Sequence, residues 1–338
     1  MIQDPNQTIE EFLLQHDKVF IDELRKTLRA DVPGSLRKAD MAKALAKYIL
    51  NEGEQWIRVF PCWEISIVAR LVEKPKGDSL TLVSPPIPML METFGLVHLD
   101  YLDRATVAYE LTNQMHDAFR KGIKNAIAAQ LAMNYVNYER YVRGLLNLYG
   151  MLPRSVIEDA VYRMANYVEE DTFDKKRNPA AFLAENASLR HFSFVQHGET
   201  LVYHPAVDDP YGMYEEQLKT RVELNYKRFT DDEFLCAGGY IAEEFPGLNI
   251  GASKQILKFM EEHGAEPSFA YYLMYFFWKK AQKPATNVVD FMMELFKGFL
   301  KTEEQEESFR VIAEEFKDTV PLWIYLGRSR KEHSHANR

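Results

Sequence analysis

Four helix-start signatures constrain this chain more than any other feature: Thr8 with Glu11, Ser155 with Glu158, Thr230 with Glu233, and Thr302 with Gln305. In each pair a hydroxyl can accept from a free N–H of the first helical turn, while the residue three positions on reaches back to the cap. Strand signals are few and short beside them, so a mainly α-helical protein is expected. At 338 residues the chain exceeds the usual size of one hydrophobic core, and several small domains follow.

Read from the start, residues 1–52 form a helical head. One helix is expected over Val19–Arg29, with Phe20, Leu24 and Leu28 on one side. Asp31-Val32-Pro33-Gly34 breaks it, and Ser35 is placed to cap a second helix running to Ile49. Residues 53–122 open with a helix over Pro61–Val72. Val83 to Pro88 is extended or loop, a short helix covers Met89–Phe94, and strands are expected at Leu96–Tyr101 and Thr106–Leu111.

Residues 123–212 repeat that plan. Tyr135, Tyr138, Val142, Leu145 and Tyr149 draw a helical stripe, the Ser155 signature starts a second helix, and Pro179 opens a third that ends near His191. A hairpin then pairs Phe192–Val195 with Thr200–Tyr203 around His197-Gly198. Three helices followed by a hairpin is the order of a winged helix, and 53–122 is a weaker version of it. Residues 213–327 read as a bundle of helices, and the basic tail 328–338 as disordered.

Val32-Pro33-Gly34-Ser35-Leu36, followed by Lys38, Asp40, Met41 and Leu45, resembles the second half of SAP-type and Rho N-terminal-type modules. Those carry a similar loop and a Lys-x-Asp-Leu-x-x-x-Leu helix; here Met41 replaces the first Leu. The likeness covers about 40 residues and implies that nucleic-acid binding is worth testing. The whole chain also resembles a group of uncharacterised bacterial proteins. The segments that carry this are Leu145–Leu152, Tyr203–Pro210 and Trp323–Gly327. Some members of that group end in a Cys-rich SEC-C zinc motif. This chain has no such cysteines, so nothing about zinc carries over.

Charge gives the functional reading. The chain carries a net −9, whereas proteins that live on nucleic acid are usually basic. Yet residues 24–49 hold Arg25, Lys26, Arg29, Arg37, Lys38, Lys43 and Lys47 against Asp31 and Asp40, a net of +5 that leaves −14 elsewhere. These seven cations are the candidate nucleic-acid contacts, with Lys175, Lys176 and Arg177 as a secondary basic loop. A solvated charged face is the plainer alternative.

Neither a metal nor a cofactor is expected. His191, His197 and His204 flank one hairpin without a carboxylate or cysteine to complete a set. Cys62 and Cys236 are far apart and suit neither a zinc site nor a disulfide framework. Gly247–Lys254 has the wrong glycine spacing for a phosphate loop, and Ser253 is expected to cap a helix there. No Gly-x-Ser-x-Gly or His-Glu-x-x-His occurs. The most apolar stretch, Phe269–Trp278, is far short of the roughly 20 apolar residues of a membrane span, and with its aromatic run Tyr271–Trp278 it reads as buried core or an intersubunit contact. The polar start lacks a signal core. The expectation is a non-enzymatic, cytoplasmic regulatory or accessory protein whose basic head touches nucleic acid and whose acidic helical region binds protein. The alternatives are a protein scaffold that binds no nucleic acid, and an enzyme whose site is assembled from distant residues.

Overall fold

The computed structural model describes residues 4–83, 89–102, 106–167, 178–223, 225–239, 251–283 and 286–336. They are mainly helical, with two small three-stranded antiparallel sheets. The chain divides into two compact units. One comprises Met1–Glu139 and Tyr162–Ser193, the other Arg140–Val161 and Phe194–Arg338.

In the first unit, α1 (Ile9–Gln15), α2 (Lys18–Thr27) and α3 (Lys38–Asn51) form the head. Thr8 and Glu11 make the full reciprocal cap of α1, and Asp17 caps α2 by accepting from the Phe20 N–H at 2.8 Å. Ser35 does not cap α3, which begins at Lys38 with Arg37 at its cap position and no side-chain cap bond. Then come α4 (Gly53–Ile57), α5 (Cys62–Val72), β1 (Leu80–Val83), α6 (Leu90–Thr93), β2 (His98–Tyr101), β3 (Thr106–Glu110) and α7 (Asn113–Ala132).

The strands order as β1-β3-β2. The hairpin β2–β3 lies where the sequence predicts it; β1 is an addition, because four residues are too few to establish a period. Gly53 and Gly122 let α4 and α7 touch backbone to backbone, since a Cβ on Gly122 would lie 2.5 Å from the Gly53 carbonyl carbon. Trp56, Phe60 and Phe119 fill the core beside them. Burying such a side chain contributes about 1.5–3 kcal/mol.

The division between units runs through α8 (Tyr135–Tyr149) and α9 (Arg154–Tyr167). Helix α9 starts two residues earlier than the Ser155 signature predicts. Ser155 is thus inside the first turn, and Glu158 pairs with Arg154 at 2.8 Å instead of reaching back to a cap. The predicted helix ending near His191 is broken in two, α10 (Pro179–Glu185) and α11 (Ala187–His191). Asn186 sits between them, and its side chain accepts from the Leu189 N–H to start the second piece.

The second unit holds β4 (Met151–Pro153), β5 (Ser193–Gln196) and β6 (Glu199–Tyr203) in the order β4-β6-β5, Ser193 itself falling in the first unit. Pro153 is tolerated because β4 is an edge strand. Helices α12 (Pro210–Glu223), α13 (Asp231–Ala237), α14 (Gly251–Glu262), α15 (Pro267–Ala281), α16 (Val288–Phe296) and α17 (Glu303–Thr319) follow. Thr230 and Glu233 form the expected capping box. Thr302 accepts from the Gln305 N–H, but the Gln305 side chain takes the Lys301 N–H instead of closing the box. Ser253 is the third residue of α14 and is buried, so it is not the cap position at which the helix begins.

The aromatic run behaves as core: Leu273, Met274, Tyr275, Phe277 and Trp278 are buried. Among the described residues, no helix is long and apolar enough to cross a membrane. A 3-10 turn at Trp323–Tyr325 precedes α18 (Arg330–Ala336), so most of the tail expected to be disordered is helical. Ser329 starts it: its hydroxyl accepts from the Glu332 N–H at 3.2 Å, and Glu332 accepts from the Ser329 N–H at 2.9 Å. That reciprocal cap is the one the sequence reading overlooked.

Candidate functional site

The head's geometry follows from which faces are apolar. Ile21, Leu24 and Leu28 are buried, which leaves Asp22, Arg25, Lys26 and Arg29 toward the outside. Arg25 is only 19% exposed. Its Nε donates to Asp22 at 2.8 Å, and its Nη1 donates to the Val32 carbonyl at 3.1 Å. It therefore pins the loop between α2 and α3. Gly34 accommodates the same guanidinium, since a Cβ there would stand 3.3 Å from Nη2.

Lys26 pairs with the other Asp22 oxygen at 2.7 Å while staying 67% exposed. Hydrogen bonds from Lys26 and Arg25 hold the Asp22 carboxyl below its usual range. Arg29 ends α2 in a left-handed conformation (φ 54°) and lies 3.5 Å from Glu185. Glu185 is 12% exposed and also takes Arg58 at 3.1 Å and the Tyr135 hydroxyl at 2.9 Å. Its charge is shared among three donors, as a half-buried carboxylate requires. Lys38 donates to the Leu14 carbonyl at 2.7 Å, at the end of α1.

Three of the seven candidates remain. Arg37, Lys43 and Lys47 are exposed and make no hydrogen bond or ion pair among the described residues. Met41, Leu45 and Ile49 bury the other side of α3, so Lys43 and Lys47, four residues apart, stand on one solvent-facing stripe, about 6 Å between Cβ atoms. Of the seven cations that sequence spacing groups together, the fold commits Arg25 and Lys38 to holding the head and pairs Lys26 and Arg29 with carboxylates. The secondary basic loop Lys175, Lys176 and Arg177 lies outside the described residues.

The three hairpin histidines serve separate ends. His191 contacts Glu23 at 3.2 Å, and burial lowers its pKa. His197 occupies the turn in a left-handed conformation (φ 51°). His204 is buried, its Nδ1 accepting from the Ala206 N–H at 3.0 Å. Burial, reinforced by Lys279 and Arg143, pushes its pKa down to about 3. Among the described residues no three His, Cys, Asp or Glu side chains gather as metal ligands would.

What the sequence reading missed is a set of buried polar ties in the second unit. They join all three segments on which the bacterial resemblance rests. The His204 N–H donates to the Gly150 carbonyl at 2.7 Å. The Trp323 indole donates to the Asn147 carbonyl at 2.8 Å. Gln217, buried, donates to the carbonyls of Tyr149 (2.6 Å) and Trp323 (2.9 Å). Gln282 accepts from the Trp323 N–H at 2.9 Å. Gly150 has φ +71°, and a Cβ on it would meet Trp323 at 2.4 Å. The signal available was a glutamine four residues past the end of an aromatic run and another in the middle of α12. No protein family, curated protein or solved structure matches the chain.

Proposed function

We propose that this chain is a non-enzymatic accessory or regulatory protein of a bacterial cytoplasm, whose head makes weak, electrostatic contact with nucleic acid through Arg37, Lys43 and Lys47. The observation that carries the reading is that these three cations are exposed and uncommitted on a helix fixed by its buried face. Lys26 and Arg29 are exposed too, but each is paired with a carboxylate. Two free thiols suit a reducing compartment.

The finer architecture belongs to the same proposal. An α2–loop–α3 head with its loop held by Arg25 supports the SAP or Rho N-terminal likeness. The common strand order of the two sheets, in which the strand ahead of each hairpin pairs with the hairpin's second strand, supports winged-helix-like units. In the first of these, α6 is one turn long with Leu90 and Met91 buried. That unit offers no helix for a major groove, so base reading is not assigned to it.

Contact with phosphates at three cations implies a shallow salt dependence, with log K against log salt sloping at roughly −0.9 per contact, or about −3 in all. Fluorescence anisotropy with labelled duplex DNA and single-stranded RNA across a salt series measures it. Arg37→Glu, Lys43→Glu and Lys47→Glu together should abolish binding without unfolding the head, since all three are exposed. Binding that survives the triple reversal, or none by the native chain at low salt, ends the proposal.

A second reading is favoured by the four cations that already have partners inside the chain. With so few left over, the head would dock an acidic protein. A pull-down repeated after nuclease treatment separates the two: a partner that persists supports the scaffold, a partner that disappears supports nucleic acid.

A further inference from the structure

The second unit contains a cleft of about 370 Å³ that none of the sequence motifs announced. That is within the roughly 300–1,000 Å³ of small-molecule pockets. The segment after His204, the end of α15 and the 3-10 turn enclose it. Val207, Met213, Trp323 and Ile324 give it an apolar lining; its charged lining residues are Asp208, Asp209, Glu216, Lys279 and Lys283.

Nearly every polar group at the cleft is already engaged. Lys283 pairs with Asp208. Glu216 pairs with Lys219 at 2.6 Å. Asp209 accepts from the Gly212 N–H at 2.9 Å through one oxygen. Gln282 spends its amide on the carbonyls of Trp278 and Pro321 and on the Trp323 N–H. Nearby Lys280 lies over the rings of Phe276 and Phe291, 5.2 Å from each. His204, packed edge-on to Trp278 and 5.1 Å from the Trp323 ring, is neutral and adds no charge.

Lys279 is the exception. It is half-buried, lines the cleft, and makes no hydrogen bond or ion pair among the described residues. Burial lowers its pKa, Asp208 opposes that, and Lys283 and Lys280 add to it. A half-buried ammonium with no acceptor is costly, and an anion supplied by a ligand would relieve it. The other charges decide which anion. Three carboxylates outnumber two ammonium groups on the lining, so a bare dianion is repelled. A plain amine would leave Lys279 unmatched. A zwitterion answers both.

We propose that this cleft binds a free α-amino acid with an apolar side chain, its carboxylate on Lys279, its ammonium toward the second oxygen of Asp209, and its side chain against Trp323, Ile324 and Met213. The site is independent of the head and of what the head binds.

Isothermal titration calorimetry of the full chain tests this with L-phenylalanine and L-leucine. Two analogues accompany them: 3-phenylpropanoate, which lacks the amine, and 2-phenylethylamine, which lacks the carboxylate. The amino acids should bind, and each analogue should bind at least tenfold more weakly than L-phenylalanine. In Lys279→Met, which keeps the apolar stem, L-phenylalanine should weaken to the level of 2-phenylethylamine while 2-phenylethylamine itself is unchanged. The proposal is overturned by no heat from either amino acid at millimolar concentration, by 3-phenylpropanoate binding as tightly as L-phenylalanine, or by Lys279→Met binding L-phenylalanine unchanged. The analogue series on the native chain decides the matter even where the variant does not fold.

Discussion

Glu64 gives the sharpest test of the packing. It lies in the first turn of α5 and is 1% exposed. Its Oε1 accepts from the Leu90 N–H and its Oε2 from the Met91 N–H, both at 2.8 Å. Helix α6 has no side-chain cap of its own, so Glu64 caps it from a distance. Burial raises the Glu64 pKa to about 8, against the pull of the two N–H bonds and with a push from Glu139 and Glu92. A folded pKa of about 8 would leave Glu64 mostly protonated at neutral pH. The unfolded chain loses that proton near the ordinary value of 4.5.

Stability from this group is complete below about pH 4.5 and falls as pH rises toward 8, because the folded state is the one that binds the extra proton. The slope is about 1.4 kcal/mol per pH unit, or about 2.7 kcal/mol between pH 5 and 7. In Glu64→Gln one acceptor remains, while the amide NH₂ faces the other backbone donor. That costs about 1–3 kcal/mol at pH 5. Gln does not titrate, so the deficit should shrink with rising pH and vanish between about pH 6 and 7. Equilibrium urea unfolding followed by tryptophan fluorescence at pH 5, 6, 7 and 8 measures the gap; Trp56 and Trp63 lie in the same unit. A gap that widens with pH would mean that the two N–H bonds hold an ionised carboxylate, and the reasoning from burial would be refuted.

Two further outcomes follow from the second unit. His204 has the opposite linkage: its folded pKa lies near 3 against an ordinary 6.5, so native stability is lost as pH falls below 6.5. His204→Phe should cost about 1–3 kcal/mol at pH 7 through the unmatched Ala206 N–H, yet regain about 2 kcal/mol relative to the native chain by pH 5. A difference that does not vary with pH in urea titrations would count against a buried neutral imidazole. Gly144→Ala would set a Cβ 1.8 Å from the Phe234 carbonyl oxygen, where α8 meets α13. A loss of about 1–3 kcal/mol or more is expected, whereas Gly298→Ala, with nothing within 4 Å, should stay within about 0.5 kcal/mol. Equal denaturation midpoints for the two would deny the close approach.

Local chemistry made part of this legible from the sequence. The Thr8–Glu11 and Thr230–Glu233 caps need only three consecutive spacings, and they stand as predicted. The tyrosine stripe of α8 and the aromatic run of α15 likewise announce buried helices, because 3.6-residue periodicity and continuous apolarity are properties of the chain itself. Ser155 shows the limit: the same motif is present, but Pro153 in an edge strand sets where the helix starts. The candidate site was legible only as composition. Seven cations in 26 residues were visible in the sequence, but not that Glu185, far along the chain, would take Arg29, or that Arg25 would turn inward to the Val32 carbonyl.

By itself, then, the sequence determined helix content, several helix starts, both hairpins and the uneven spread of charge, since each depends on neighbours a few positions apart. Tertiary structure alone decided which head cations stay unpaired among the described residues, that Glu64 caps a helix 26 residues away, and that Lys279 lines a cleft with no partner among those residues. Those outcomes depend on desolvation and on contacts between remote segments, and neither has a value until the chain has folded around it.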